Sequence, residues 1–229
     1  MRSTAASRED ANSQRHDIAN SAGGGLDVRA AILAGGTASR FGGRPKGLEQ
    51  VGGERILDRV AHVLAAATET SPLLIANAAE APNWRPDLRV VRDAIRDCGS
   101  LGGIYTALSA CDAPVLVMAW DMPFVPVELL AELVKRSSDY DAFLPESSGT
   151  EHRLEPLCAV YRPSCLDAIR ERLADEDFRA SGFLDHVNLG TLSKREVQRF
   201  GDPETLLFNI NTPTDLTKAQ ELWRSLHEH

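Results

Sequence analysis

The stretch "LAGGTASRFGGRPKG", from Leu33 to Gly47, follows a short apolar run that begins at Val28. Five glycines, two arginines and one lysine fall within these 15 residues, so flexibility and positive charge directly follow the pattern of a buried strand. Glycines let backbone N–H groups approach a ligand closely, because no Cβ intervenes. A cationic, glycine-rich turn at the end of a parallel strand therefore predicts a phosphate-binding loop.

Within this loop, Gly35 and Gly36 leave the predicted strand directly, while Arg40 and Lys46 can supply charge to phosphate oxygens. The stretch matches neither GxxxxGK[ST] nor GxGxxG, so it is neither of those two nucleotide-binding loops. From the glycines alone, a purely structural turn stays open, because such turns are common between strands and helices. The accompanying lysine and arginine favour phosphate binding.

The composition is that of a globular protein, since 43% of the 229 residues are apolar and 25% are charged. The net charge of -8 argues against a nucleic-acid surface, which usually needs a basic face. No run of 18 or more apolar residues occurs, so we expect no membrane span.

The first 27 residues lack apolar periodicity and the apolar centre of a secretory signal. We interpret them as a disordered tail or a mis-assigned start, with a single domain over residues 28–229 and a cytoplasmic location. A reducing location disfavours disulfides, and no cysteine pair has the spacing of a zinc site, so the cysteines are expected to be free thiols. The cysteines concerned are Cys98, Cys111, Cys158 and Cys165.

Apolar runs and helical spacings alternate along the rest of the chain. This alternation predicts an α/β fold with a parallel sheet that is covered on both faces. Strands are predicted over residues 28–33, 72–76, 88–91, 114–120, 141–145, 156–162 and 195–200, and helices near or after residues 56, 104, 126, 163 and 213.

Asp121 comes just past the strongest predicted strand, in "AWDMPF". A carboxylate at a strand end, near a triphosphate, is the hard oxygen ligand that Mg²⁺ prefers. The alternative is an aspartate that hydrogen-bonds the following turn. The Lys46 loop on a neighbouring strand favours the metal ligand. His62 and His152 lie outside these motifs and are interpreted as structural or solvated.

Six short motifs together resemble the molybdenum cofactor guanylyltransferases of the MobA type: LAGG (33–36), RFG (40–42), KG (46–47), GSLGG (99–103), DMP (121–123) and NINTP (209–213). The resemblance covers about residues 28–225. It implies a Rossmann-like, three-layer nucleotidyltransferase fold with a mostly parallel central sheet. It also implies that GMP passes from GTP to the terminal phosphate of molybdopterin or Mo-molybdopterin, with Mg²⁺ and release of pyrophosphate. Molybdoenzymes or their chaperones are the implied protein partners.

The resemblance further implies roles for matching residues. The nucleotide is held by Leu33, Ala34, Gly35, Lys46, Asp93 and Asp121. Among these, Lys46 contacts the phosphates and Asp121 binds Mg²⁺, so these two are the implied catalytic residues. Asn209 and Asn211 face molybdopterin. Asp93 could instead be a solvated strand-end carboxylate, and the two asparagines could be turn or helix-cap residues. Asn77 corresponds loosely to a family asparagine after the second strand.

Three residues depart from the family pattern. Pro45 stands where many members have aspartate, Trp120 where cysteine is common, and Glu155 where histidine or glutamine is common. Pro45 stiffens the loop and removes one N–H but leaves Lys46 in place. Glu155 bears on how the acceptor is held more than on the nucleotide.

Rival functions stay open at this point. The same fold could serve a molybdopterin cytidylyltransferase or a sugar-phosphate nucleotidyltransferase, although LAGG, where cytidylyl relatives usually carry LAAG, favours guanine. A non-catalytic GTP-binding assembly protein is a second class, but the presence of both Lys46 and Asp121 favours chemistry. The missing GxGxxG counts against an oxidoreductase.

Overall fold

The computed structural model of the protein describes residues 27–35, 45–147 and 154–227. Nine strands are assigned there: β1 (Arg29–Leu33), β2 (Gln50–Val51), β3 (Glu54–Arg55), β4 (Leu73–Ile75), β5 (Val90–Val91), β6 (Val115–Ala119), β7 (Ala142–Pro145), β8 (Cys158–Tyr161) and β9 (Leu189–Leu192). The α-helices of the same residues are α1 (Ile56–Thr68), α2 (Ala81–Trp84), α3 (Gly99–Ser109), α4 (Val127–Arg136), α5 (Leu166–Ala174), α6 (Lys194–Val197), α7 (Pro203–Leu206) and α8 (Pro213–His227).

Seven strands form one sheet in the order β5-β4-β1-β6-β8-β7-β9. Alternate residues of the central strands enter two separate cores. Ile32 and Met118 pack with α1 and α4 on one face, whereas Ala31 and Val117 pack with α3 and α5 on the other. Both faces are covered, which explains why the central strands are apolar without alternation. The predicted three layers are confirmed.

The order of the strands reverses beside β1. The chain runs outward from β1 to β4 and β5, then returns to add β6 on the other side of β1, and all these pairs are parallel. In open α/β sheets, ligands bind outside the carboxyl ends of the strands at such a reversal. The topology therefore indicates a site beyond Leu33 and Ala119, which are register partners.

One strand, β8, runs against its neighbours and makes the sheet mostly rather than wholly parallel. It pairs antiparallel with both β6 and β7. An antiparallel bridge between Glu146 and Leu154 continues the pairing of β7 with β8, so the chain returns as a hairpin. A parallel return usually needs a crossover of a dozen or more residues, commonly with a helix, whereas an antiparallel return can be a hairpin.

The predicted strand over residues 195–200 is wrong. The strand lies earlier, at β9, and Lys194–Val197 is a helix. Ser193 caps this helix: its backbone N–H donates to Glu196 Oε2 at 2.9 Å, and the Ser193 side chain accepts from the N–H of the third helical residue. The capping-box pattern S-x-x-E was the sequence signal for a helix start at this point.

Some of the other predictions concern residues outside the described ranges. The predicted tail over residues 1–27 lies outside them except for Asp27, as does His152. Within the described ranges, no helix is both long and apolar enough to cross a membrane. The four cysteines are free, and all except the half-buried Cys111 are buried. His62 is exposed on α1.

The turn between β2 and β3 packs against the last helix. Gly52 and Gly53 have φ values of +62° and +81°, as a two-residue type I′ turn requires. A Cβ on Gly52 would lie 2.1 Å from the Trp223 indole of α8, whereas one on Gly53 would have no neighbour within 4 Å. The Arg59 guanidinium lies 4.0 Å from the Trp223 ring centroid and helps to hold the indole there.

We expect Gly52→Ala to lower the free energy of unfolding by about 1–3 kcal/mol more than Gly53→Ala, because overpacking adds to the shared cost of positive φ. Urea denaturation of the two variants measures this difference. Equal losses would show that Trp223 does not pack against the turn.

Candidate active site

A cleft of about 720 Å³ opens beyond the carboxyl ends of the parallel strands. Its wall contains most of the predicted site residues: Leu33, Gly35, Lys46, Asp93, Asp121, Asn209 and Asn211. Ala34 is buried, and its N–H donates to the Ile75 carbonyl at 2.9 Å. Gly36 and Arg40 lie outside the described residues. The structure thus brings the described site residues together, and their individual roles stay predictions.

The register of the sheet explains this convergence. Gly35, Asn77, Asp93 and Asp121 are each the second residue after the end of a parallel strand, namely β1, β4, β5 and β6. Parallel strands in one sheet end at the same edge, so residues at this offset meet in one cleft. The offset is the sequence signal that identifies Asn77, which the motif comparison aligned only loosely.

An ion pair between Lys46 and Asp121 lies at the centre of the cleft. Lys46 Nζ donates closely to Asp121 Oδ2, and also to Asn211 Oδ1 at 3.1 Å. The Lys46 and Asp121 side chains are 19% and 8% exposed, so the pair is largely withdrawn from water. The Asp121 carbonyl accepts the Ile210 N–H at 3.0 Å, which fixes the late asparagine segment beside the pair.

The second carboxylate oxygen of Asp121 is unsatisfied. Oδ1 is buried and has no hydrogen-bond partner in the described part of the chain. Burying an unpaired polar oxygen is costly, so the site favours a ligand that would satisfy it. A hard divalent cation fits, because such ions are often held by one or two carboxylates together with phosphate oxygens. Consistent with that mode, no cluster of three or more acidic, histidine or cysteine side chains occurs among the described residues.

Trp120 supports the turn that carries Lys46. Pro45 is extended, and a single 3-10 turn spans Lys46–Leu48. A Cβ on Gly47 would lie 2.3 Å from Trp120 Cε3, so only glycine lets the turn lie this close to the indole. Trp120 in turn stacks on Trp84, with ring centroids 5.2 Å apart. Trp120, one of the departures from the family pattern, therefore packs directly against the turn that carries Lys46.

Asn77 and Asp93 form a reciprocal pair on one side of the cleft. Asn77 Nδ2 donates to Asp93 Oδ2 at 2.7 Å, and the Asp93 backbone N–H donates to Asn77 Oδ1 at 3.0 Å. This exchange ties the ends of β4 and β5 together and orients the Asp93 carboxylate. Such an oriented acceptor suits N–H or O–H donors of a ligand rather than its phosphates.

The start of α3 forms another part of the wall, to which the sequence assigned no role. Gly99, Ser100 and Gly103 line the cleft. A Cβ on Gly103 would lie 3.2 Å from Leu33 Cδ2, so this glycine allows the helix to approach β1 closely. The helix N-terminus beside the cleft contributes free N–H groups and a favourable dipole for anions.

Glu155 lies just before β8, two residues from Leu157, which lines the cleft. Burial raises the pKa of its carboxyl to about 7, and the negative charge of Asp121 also raises it. Its Oε1 accepts the Leu157 N–H at 3.2 Å, and this bond limits the rise in the pKa. Glu155 thus supports the wall of the cleft at Leu157.

A lysine paired with a carboxylate, at the reversal point of a parallel sheet, is an arrangement typical of nucleotide-using α/β enzymes. The family model of the MobA-like NTP transferase domain matches residues 30–188. The chain belongs to this family of nucleotidyltransferases.

Curated relatives match over nearly their whole length. A probable molybdenum cofactor guanylyltransferase of Pelotomaculum thermopropionicum is 37% identical over 196 residues, which cover 85% of this chain and 93% of the relative. A molybdenum cofactor guanylyltransferase of Mesorhizobium japonicum is 33% identical over 209 residues, which cover 87% of this chain and 98% of the relative.

Solved structures share the fold. Molybdopterin-guanine dinucleotide biosynthesis protein A of Archaeoglobus fulgidus superposes with a TM-score of 0.73 at 26% identity, covering 86% of this chain and 100% of that one. The 2-C-methyl-D-erythritol 4-phosphate cytidylyltransferase of Thermus thermophilus superposes with a TM-score of 0.61 at 20% identity, covering 87% and 100%, and shows the fold alone. The predicted Rossmann-like nucleotidyltransferase fold is confirmed.

The ion pair predicts a specific stability pattern without ligands. Lys46→Met leaves a largely buried carboxylate unpaired, so we expect the free energy of unfolding to fall by about 1–3 kcal/mol. Adding Asp121→Asn removes the orphaned charge and restores most of the loss. Chemical denaturation in chelator, without nucleotide, measures both.

Lys135→Met, on an exposed position of α4, controls for the loss of a lysine charge. If the double variant is as unstable as Lys46→Met alone, Lys46 stabilises the fold by packing and not by pairing with Asp121.

Proposed function

We propose that this protein transfers GMP from GTP to the terminal phosphate of molybdopterin or Mo-molybdopterin, releasing pyrophosphate and forming the guanine dinucleotide cofactor. The observation that carries the proposal is the Lys46–Asp121 pair, with one free carboxylate oxygen, in a cleft at the sheet reversal. The proposal is supported by the names of relatives 37% and 33% identical, of which the chain covers 93% and 98%.

The nucleotide lies across the carboxyl ends of β1, β4 and β5 in this proposal. Lys46 attracts the triphosphate, because its ammonium is a compact charge on a flexible stem. The Asn77–Asp93 pair lies at the ends of β4 and β5, and in this proposal it binds the nucleoside. Leu33, Ala34 and Gly35 bring the backbone of β1 close to the bound nucleotide, and the LAGG sequence favours guanine.

Mg²⁺ is the proposed metal, and Asp121 is its protein ligand. The unpartnered Asp121 Oδ1 is the oxygen available for it. Bound there with phosphate oxygens, a divalent cation would draw off charge and help align the reacting groups. Lys46 pairs with the other oxygen, Oδ2, and this pair opens when the lysine moves to the triphosphate.

The reaction requires charge neutralisation and alignment more than proton transfer. The acceptor phosphate attacks the α-phosphorus of GTP, and pyrophosphate leaves in line. Both the nucleophile and the leaving group are anions at neutral pH, so no general base is needed. Lys46 stabilises the negative charge that accumulates on the pyrophosphate.

Asn209 and Asn211 are on the acceptor side in this proposal. Both line the cleft, and the Ile210 N–H between them donates to the Asp121 carbonyl at 3.0 Å, whereas Asn77 and Asp93 follow β4 and β5. The proposal extends to a cytoplasmic location and to molybdoenzymes or their chaperones as recipients of the product.

The nearest alternative is a molybdopterin cytidylyltransferase with the same site. A non-catalytic GTP-binding protein is the alternative from another class. The names of the curated relatives favour the enzyme over this alternative.

Asp121→Asn keeps the size of the side chain but removes the charge that binds the metal. We expect turnover to fall by roughly a hundredfold or more, as when one electrostatic element of a transition-state site is lost. Pyrophosphate release in the presence of GTP, Mg²⁺ and molybdopterin measures it. Asp58→Asn on α1, outside the cleft, is the matched control. Near-normal turnover of Asp121→Asn would place the metal elsewhere.

The proposed roles of Lys46 and Asp93 can be distinguished by measuring which nucleotide the protein prefers. The wild type should be stabilised against heat more by GTP than by CTP or ATP, because a ligand of the folded state raises stability by mass action. Lys46→Ala should weaken the binding of all three nucleotides and leave their order of affinity unchanged. Asp93→Ala should flatten the order, because a lost hydrogen-bond partner costs about 1–3 kcal/mol.

Titration of both variants with GTP and CTP decides the assignment. An unchanged GTP-to-CTP affinity ratio in Asp93→Ala would make Asp93 a solvated strand-end carboxylate. A wild type that prefers CTP would move the protein to the cytidylyl branch.

A further inference from the structure

Thr106 is a buried polar residue of α3 to which the proposed reaction gives no role. It is 2% exposed, and the other buried residues of this helix are glycines or apolar. Its hydroxyl nevertheless has two partners: Oγ1 donates to the Gly102 carbonyl at 2.7 Å and accepts the Ala94 backbone N–H at 2.9 Å. A hydroxyl has a single hydrogen to donate, so the two bonds use it in complementary ways. The Thr106 hydroxyl therefore joins α3 to the segment that follows β5.

Ala94 directly follows Asp93, so this bond acts on the backbone of the carboxylate. The Ala94 N–H belongs to the planar peptide unit on the C-terminal side of Asp93. The unit on the other side is held as well, because the Asp93 N–H donates to Asn77 Oδ1 at 3.0 Å. With both flanking planes held, φ and ψ of Asp93 are restrained, and so is the direction in which its side chain leaves the backbone. Asn77 binds the carboxylate oxygen Oδ2, and the hydrogen bonds of the described residues leave Oδ1 for a ligand.

The helix that carries this hydroxyl is closely packed on two sides. A Cβ on Gly103 would lie 3.2 Å from Leu33 Cδ2, so α3 lies close against β1. A Cβ on Gly102 would lie 3.3 Å from the Ile95 carbonyl oxygen, so the segment that follows β5 also lies close against α3. The helix is therefore a fixed support, and the Thr106 hydroxyl connects this support to the segment that follows β5.

We propose that Thr106 is a positioning residue that orients the Asp93 carboxylate toward the nucleoside and thereby sets the nucleotide preference of the cleft. This inference rests on the proposed function, in which Asp93 binds the nucleoside. Thr106 is not among the described residues of the cleft wall, so it acts on the ligand through Asp93. Guanine and cytosine present their N–H donors at different places, so a carboxylate held in one direction discriminates between them better than one that turns freely.

The test is titration calorimetry of the protein with GTP and with CTP in the presence of Mg²⁺. Thr106→Val keeps the shape of the side chain and removes the hydroxyl, which leaves the Ala94 N–H without its partner. We expect the GTP-to-CTP affinity ratio to fall about fivefold, the size of one neutral hydrogen bond. Thr106→Ser, which keeps the hydroxyl, should have a ratio within twofold of wild type. If Thr106→Val does not fold, Thr106→Ala removes the same hydroxyl and carries the same expectation.

Two double-mutant cycles test whether Thr106 acts through Asp93. Asp93→Ala removes the carboxylate, so adding Thr106→Val should change the ratio by less than twofold. Lys46→Ala removes a contact to the triphosphate instead, so adding Thr106→Val should still lower the ratio about fivefold. Thr68→Val is the matched control and should leave the ratio unchanged. The Thr68 hydroxyl likewise donates to the carbonyl four residues earlier, at 2.9 Å, but on α1 and away from the described wall of the cleft.

The possible results distinguish the proposed function from the role of Thr106. A wild type that binds GTP no better than CTP, or that releases no pyrophosphate with GTP and molybdopterin, would overturn the proposed function and this inference with it. In a wild type that meets both conditions, three results would each overturn only the role of Thr106. These are an unchanged ratio in Thr106→Val, a ratio as low in Thr106→Ser as in Thr106→Val, and additive effects of Thr106→Val and Asp93→Ala.

Discussion

Parallel pairing of β1 with β6 is the constraint on which the site depends. It sets Leu33 beside Ala119, so the chain leaves both strands at the same edge of the sheet. Gly35 and Asp121 then meet because each is the second residue after its strand. Since β4 and β5 join the same parallel set, Asn77 and Asp93 reach that edge as well. For these four residues the cleft is thus a consequence of register, whereas Lys46 and the late asparagines are placed by contacts with Trp120 and Asp121.

Charge in the cleft is balanced within the protein before any ligand binds. A chain with a net charge of -8 repels polyanions in general, so binding a triphosphate requires local positive charge. Lys46 provides it, but Asp121 partly neutralises the lysine. The pairing lowers the cost of burying each group and holds both in place. A triphosphate that arrives with a divalent cation offers each partner a replacement, so ligand binding can exchange one set of opposite charges for another.

Much of the fold was predictable from the sequence because the central strands are continuous apolar runs and the helices have a clear period. Lys46 and Asp121 were also predictable, since each directly follows a recognisable pattern. The exceptions have physical reasons. The segment at 195–200 was predicted to be a strand, but its apolar residues Val197 and Phe200 are three positions apart, and the capping box at Ser193 starts a helix there. The antiparallel direction of β8 depends on the length of a connection, and the pairing of Asn77 with Asp93 depends on which strands are neighbours. Neither property is local, so neither follows from a short pattern.

The most direct test of the account follows the phosphates of GTP. The protein is incubated with molybdopterin, Mg²⁺ and GTP labelled at either the α- or the γ-phosphorus, and the products are separated. The account predicts that the α-label enters a molybdopterin guanine dinucleotide and that the γ-label appears in pyrophosphate, both only when molybdopterin is present. Release of the γ-label as inorganic phosphate, or an α-label that never joins the acceptor, would contradict it.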